Sequence, residues 1–326
     1  MKIGTPFKVF FKFFISFILI LFLVKRVDLA QVWSLFLGLN YSYLSITLFL
    51  TLIIWIIHAN RWQLLLSGLG WKIPFFKLME LNLIATFYTL FLPGYTISGG
   101  VVKAFKLTRL TGDVLKSALS IVIDRFMLIL PRLLIIPFCL IINPPLAIDS
   151  KFWKAFICAS FILLLIAIIL GIMLSSRFSL LLERSIRPIL QKLQKTKEDI
   201  PQSLKSGVSL WNLLRAYQNH RLSVIGSFGY GVASCFLNGL WFYFIAFALG
   251  VKIPFGAILW IFSIVTIVEM FPISIAGIGV REGTFVFLLK YYGVAPVMAL
   301  SLSLIVFFFQ VLEGGVGGLL EIWARR

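Results

Sequence analysis

Apolar residues run along this chain in long blocks, at about 10–24, 41–66, 78–92, 117–142, 152–174, 222–249, 256–271, 276–292 and 296–320. Most are long enough to cross a hydrocarbon core of ~30 Å as a helix. Polar residues collect in the short gaps and in one long stretch, 177–221. Two blocks are broken from within. "FLPGYTISGG" (Phe91–Gly100) interrupts the third, and "FPISIAGIG" (Phe271–Gly279) interrupts the seventh. Proline and glycine stop a helix, and irregular backbone is tolerated at membrane depth only where protein buries it or water reaches it. Pro93, Gly94 and Pro272 therefore mark two hairpins that enter and leave the membrane on the same side.

Basic residues set the orientation. They cluster at 2–12, 61–77, 103–116, 177–221 and 325–326. Placing 177–221 in the cytoplasm puts the other clusters there too, provided 78–102 and 256–292 are re-entrant. The expected fold is an all-α polytopic membrane protein with six full crossings, two re-entrant hairpins and both termini cytoplasmic. Lys25-Arg26 dissents and would snorkel to the interface. The N-terminal basic-then-apolar segment lacks a convincing small-x-small cleavage site, so it is expected to stay as the first helix.

The sequence repeats. "LGWKIPF" (Leu69–Phe75) returns as "LGVKIPF" (Leu249–Phe255), 180 residues later. Pro93 and Gly100 match Pro272 and Gly279, Gly112 and Ala118–Ser120 match Gly293 and Ala299–Ser301, and His58 matches Asn238. One integral membrane domain, 1–326, is expected, with repeat 1 at about 41–142, repeat 2 at about 222–320 and a basic cytoplasmic loop at 175–221. The orientation puts the first "KIPF" inside and the second outside, which makes the repeat inverted. Inverted repeats place a substrate site at the midplane between broken helices.

Composition agrees. Of 326 residues, 60% are hydrophobic and 13% charged, against ~25% charged in soluble domains. The formal net charge of +18 follows from the loops and anionic headgroups, not from nucleic acid, for which no motif appears. Cys139, Cys158 and Cys235 lie far apart in apolar runs and read as small packing residues. Two histidines and twelve acidic residues support no metal site. No nucleotide-binding, HExxH or GxSxG pattern is present, so neither a cofactor nor an enzyme is expected.

The candidate chemistry sits at the breaks. Arg281 and Glu282 follow Gly277 and Gly279, and Lys103 follows Gly99 and Gly100. A cation just past a glycine break suits an anionic headgroup, with freed N–H groups alongside. The plainer reading pairs Arg281 with Glu282 or Glu269. Asp124 and Arg125 lie inside a spanning run and need different partners, because adjacent residues do not share a helix face. Arg125 and Arg132, seven apart, share one helix face, which allows either a basic strip or structural pairing between helices. Glu269 sits three residues before Pro272, and Glu313 precedes "GGVGG" (Gly314–Gly318), which reads as close helix packing. His58, Asn60 and Arg61 read as interfacial anchors.

"SGGVVKAF" (Ser98–Phe105), Asp124-Arg125 and "PISIAGIGVREG" (Pro272–Gly283) resemble the transmembrane region of lysylphosphatidylglycerol synthases and the stand-alone flippase-like proteins made of that region. The likeness covers roughly 10–320. Lys103 departs from it, since the family commonly has arginine there. The resemblance implies a lipid translocator in a prokaryotic plasma membrane, without the soluble aminoacylating domain. The expected function is a flippase or transporter of an anionic or polyprenyl-phosphate-type lipid. Its partners would be membrane lipids, not nucleic acid, and a homo-oligomer is left open. Two alternatives stand: a membrane-embedded lipid-modifying transferase, and an accessory subunit recruiting a partner through 177–221.

Overall fold

The computed structural model describes residues 35, 37–91, 96–144, 154, 157–162, 164–165, 220–271 and 277–324. Pro93, Gly94, Pro272, the expected first helix, Lys25-Arg26 and nearly all of the basic loop lie outside the described residues. Within them the chain is helical, without strands. Four helices make up the first half: α1 (Tyr41–Gly68), α2 (Phe75–Phe91), α3 (Thr96–Thr111) and α4 (Val114–Ile142). Four more make up the second: α5 (Arg221–Ala248), α6 (Phe255–Glu269), α7 (Val280–Leu289) and α8 (Pro296–Ala324), with a 3-10 turn, Lys290–Tyr292, between the last two. Each half runs long, short, short, long. Among the described residues α1, α4, α5 and α8 are long and apolar enough to cross a membrane. The protein is a multi-pass membrane protein.

The two "KIPF" segments fold alike for a local reason. Gly70 has φ 82° and Gly250 φ 74°, conformations that a Cβ would strain. The Trp71 amide reaches back to Leu66 O at 3.0 Å, and the Val251 amide to Ala246 O at 2.9 Å. Inside these, Gly70 N bonds Ser67 O and Gly250 N bonds Phe247 O, both at 3.0 Å. This double bond pattern is the Schellman stop, which satisfies the last carbonyls of a helix. Pro74 and Pro254 then precede α2 and α6, where a missing N–H costs nothing. Helix starts are capped by Asn40, whose Oδ1 accepts from Ser42 N at 3.1 Å, and by Asp113, whose Oδ1 accepts from Leu115 and Lys116 N at 3.1 and 3.0 Å.

Packing between the halves is reciprocal. α1 lies along α5, α2 packs on α8, and α6 packs on α4. The second helix of each half thus meets the fourth helix of the other. One pairing departs from this: α5 packs along α4, while α1 and α8 stand apart over a groove lined by Leu44, Leu48, Ile305 and Phe308.

Without water between helices, association depends on close van der Waals contact, so small residues mark the crossings. A Cβ at Gly317 would lie 2.0 Å from Leu83 O, and one at Gly231 2.2 Å from Met127 O beside Pro131. Gly99 plays the same part inside the first hairpin, where a Cβ would meet Thr89 Oγ1 at 2.0 Å. Cys139 and Cys235 are buried packing residues, whereas Cys158 is exposed, so the packing role does not extend to it.

Gly317→Ala should destabilise the solubilised protein by about 1–3 kcal/mol through overpacking. Gly315→Ala, with nothing within 4 Å of the added carbon, should leave the unfolding midpoint unchanged. Thermal unfolding in detergent reads both.

Candidate functional site

A polar cavity of about 210 Å³ opens among α1, α2, α3, α4 and α8. Trp55, His58 and Arg61 come from α1, Asn82 and Thr86 from α2, Gly100 and Lys103 from α3, Asp124 and Arg125 from α4, and Glu313 from α8. Such a collection of ionisable groups inside apolar helices is costly unless paired. Here Asp124 supplies the pairing. Its Oδ1 accepts from Arg61 Nε at 2.9 Å and its Oδ2 from Lys103 Nζ at 3.2 Å, with all three side chains buried. The Lys103 ammonium also lies 3.7 Å from the centre of the Trp62 ring, a cation–π contact.

Pairing is incomplete. Arg61 Nη1 and Asn82 Nδ2 are buried and find no hydrogen-bond partner among the described residues. Both residues line the cavity. Among the described residues the lining carries Arg61, Lys103 and Arg125 beside the carboxyl groups of Asp124 and Glu313. A buried donor without an acceptor costs about 1–3 kcal/mol, so the arrangement favours an incoming acceptor, above all an anion. Glu313 Oε1 accepts from Thr86 Oγ1 at 3.5 Å, and His58 Nε2 lies 2.8 Å from Ser234 Oγ of α5.

The second break is built differently. Gly277 and Gly279 have φ 71° and 85°, which lets the chain turn into α7. Glu282 caps the helix by accepting from Gly279 N at 2.5 Å. Arg281 is 1% exposed, and its guanidinium is fully engaged. Nε donates to Ser303 Oγ at 3.1 Å, Nη1 to Gln310 Oε1 at 2.7 Å, and Nη2 to the Glu282 carboxylate. Glu269 Oε1 lies 3.7 Å from Nη1, and the Phe307 ring centre 4.9 Å from the guanidinium carbon. This cluster ties α6, α7 and α8 together away from the polar cavity.

Of the residues singled out in the sequence, Gly99, Gly100, Lys103, Asp124 and Arg125 meet at the cavity. Glu269, Gly277, Gly279, Arg281 and Glu282 meet in the second cluster. The anchor reading of His58 and Arg61 is corrected. α1 runs on to Gly68, so Arg61 is 3% exposed and bound to Asp124. The basic strip is corrected as well: Arg132 is buried, donates to Leu128 O at 2.7 Å, and does not line the cavity. Asn82 and Thr86 carried no signal in the sequence, because α2 is apolar on most sides.

The family comparison bears on the chain as a whole. Residues 9–316 match the family described as the lysylphosphatidylglycerol synthase TM region. The chain belongs to this family. No curated protein matches it. For a lysylphosphatidylglycerol synthase TM region, the polar cavity is the feature to explain, and its second-half counterpart sharpens the question. A smaller cavity, about 130 Å³, is lined by Asn238, Trp241, Phe262 and Phe309, with Trp55 and Glu313 shared between the two. Asn238, Trp241 and Phe262 stand 180 residues after His58, Arg61 and Asn82. The position recurs, but the charge does not.

Asp124→Ala would strand two buried cations, and should cost about 3–5 kcal/mol. Lys77→Ala, which breaks the more exposed pair with Glu80 at 2.6 Å, should cost no more than about 1 kcal/mol. Denaturation of the purified variants separates the two cases.

Proposed function

We propose that this protein is a lipid flippase or lipid transporter of a prokaryotic plasma membrane, acting on an anionic or polyprenyl-phosphate-type lipid. The observation that carries the reading is the pair of buried hydrogen-bond donors, Arg61 Nη1 and Asn82 Nδ2, that line a cavity among apolar helices and lack a partner among the described residues. Arg61 and Lys103 contact the phosphate, Asp124 holds both in place, and Asn82 offers a neutral donor. Arg281 keeps the second hairpin in shape by its internal partners.

Six full crossings, two re-entrant hairpins and cytoplasmic termini complete the picture, with α2–α3 and α6–α7 as the hairpins. The reciprocal packing of the halves supports an inverted repeat, whose two-fold axis would lie in the membrane plane. Alternating access then follows from rocking one half against the other. With no nucleotide-binding motif in the sequence, transport is downhill or ion-coupled. Family membership supports a lipid as the cargo. The reading is of a transporter, not an enzyme: the Asp124 carboxylate in the site is already taken by two cations.

Reconstitution tests this. Headgroup-labelled lipids are placed in proteoliposomes one class at a time, and inner-leaflet label is followed with a membrane-impermeant quencher. The wild-type protein should expose one phosphate-bearing class, and Lys103→Gln and Arg61→Gln should lose that movement while remaining folded. Movement of every class alike, or full activity in both variants, would overturn the headgroup assignment. A chemically altered lipid in the same vesicles would favour a transferase.

A further inference from the structure

The polar cavity is too small to hold a lipid. At about 210 Å³ it has the liquid volume of roughly seven waters, below the ~300–1,000 Å³ of pockets that enclose a whole drug-sized ligand. It admits a phosphate with some water, and the rest of the molecule must lie elsewhere. Next to it is a groove of about 400 Å³ between α3 and α4, lined by Val101, Ala104, Ala118, Val122, Ile129 and Met270. Gly100, Ile121 and Arg125 line both the groove and the cavity. The groove is almost wholly apolar, and Val101 and Val122 are 62% and 52% exposed.

We propose that the α3/α4 groove holds a hydrocarbon chain of the same lipid whose phosphate occupies the polar cavity, with Arg125 at the junction. The inference rests on the anion reading of the cavity. Its occupant follows from adjacency: a polar cavity with unpartnered donors and an exposed apolar groove share Gly100, Ile121 and Arg125 in their linings, which fits an amphiphile and not a free ion. Gly100 keeps the junction open. A Cβ there would sit 3.7 Å from both Arg125 Nη2 and Ile121 Cγ2, so alanine fits and a larger side chain closes the passage. Arg125 lines both spaces, and an arginine there can lay its aliphatic stem on apolar surface while its charged end meets polar groups. The α1/α8 groove is also apolar, but none of its lining residues lines the polar cavity.

The test uses the full chain in phosphatidylcholine nanodiscs and two photoreactive probes with one alkyl chain carrying a diazirine. One ends in phosphate and the other in phosphocholine. Adducts are mapped by mass spectrometry with and without excess inorganic phosphate, and thermal stabilisation by inorganic phosphate over chloride at equal ionic strength is read in parallel. Adducts of the phosphate probe on Val101, Ala118 and Val122, weaker for the phosphocholine probe and suppressed by inorganic phosphate, are the expected result. Ala118→Phe should lose those adducts and keep the stabilisation by phosphate. Adducts on Leu44, Leu48 and Phe308 instead would overturn the placement of the chain. Groove adducts that ignore inorganic phosphate, while phosphate still stabilises the protein, would mean surrounding lipid only and sink the groove proposal alone. If phosphate neither stabilises the protein nor suppresses labelling, the cavity reading falls, and the groove proposal with it.

Discussion

A carboxylate between two cations fixes the first half of this molecule. Buried side chains inside a membrane protein are poorly solvated, so removing Asp124 would leave Arg61 and Lys103 facing each other in a medium of low dielectric. Because the three residues come from α1, α3 and α4, the pairing ties α3 to two neighbouring helices and sets which way Lys103 points. The second half meets the same constraint with another solution. There one arginine gathers Glu269, Glu282, Ser303 and Gln310, and each of its three nitrogens has a partner. The contrast between an open and a closed charge cluster is what gives the cavity its chemistry.

Much of the architecture could be read from the chain. The repeated "KIPF" segments are visible as letters, and the structure gives their cause in paired glycine stops at Gly70 and Gly250. Helices α1, α4, α5 and α8 follow from block length and hydropathy. Lys103 and Asp124 stood out because charges inside apolar runs are rare. Arg61 did not, since it lies where an apolar block gives way to polar residues and resembles an interfacial anchor. Only the continuation of α1 to Gly68, about 10 Å beyond Arg61 at the helical rise, places it within the bundle. Arg281 was legible only in part: Glu282 and Glu269 lie close in the sequence, whereas Ser303 and Gln310 are 22 and 29 residues away on α8, beyond any local pattern. Membrane helices hide such facts because they are apolar all round, so periodicity does not show which face meets protein.

The two halves are alike in frame and unlike in surface. Trp241 and Phe262 occupy the places that Arg61 and Asn82 hold in the first half. For a carrier this has a kinetic consequence. A passive device cannot bias the equilibrium distribution of its cargo between leaflets, however lopsided its interior. Microscopic reversibility requires the forward and return journeys to cross the same barriers. What the lopsidedness sets is the resting place: an anionic cargo would dwell at the charged half in both directions, and its escape from there would govern turnover.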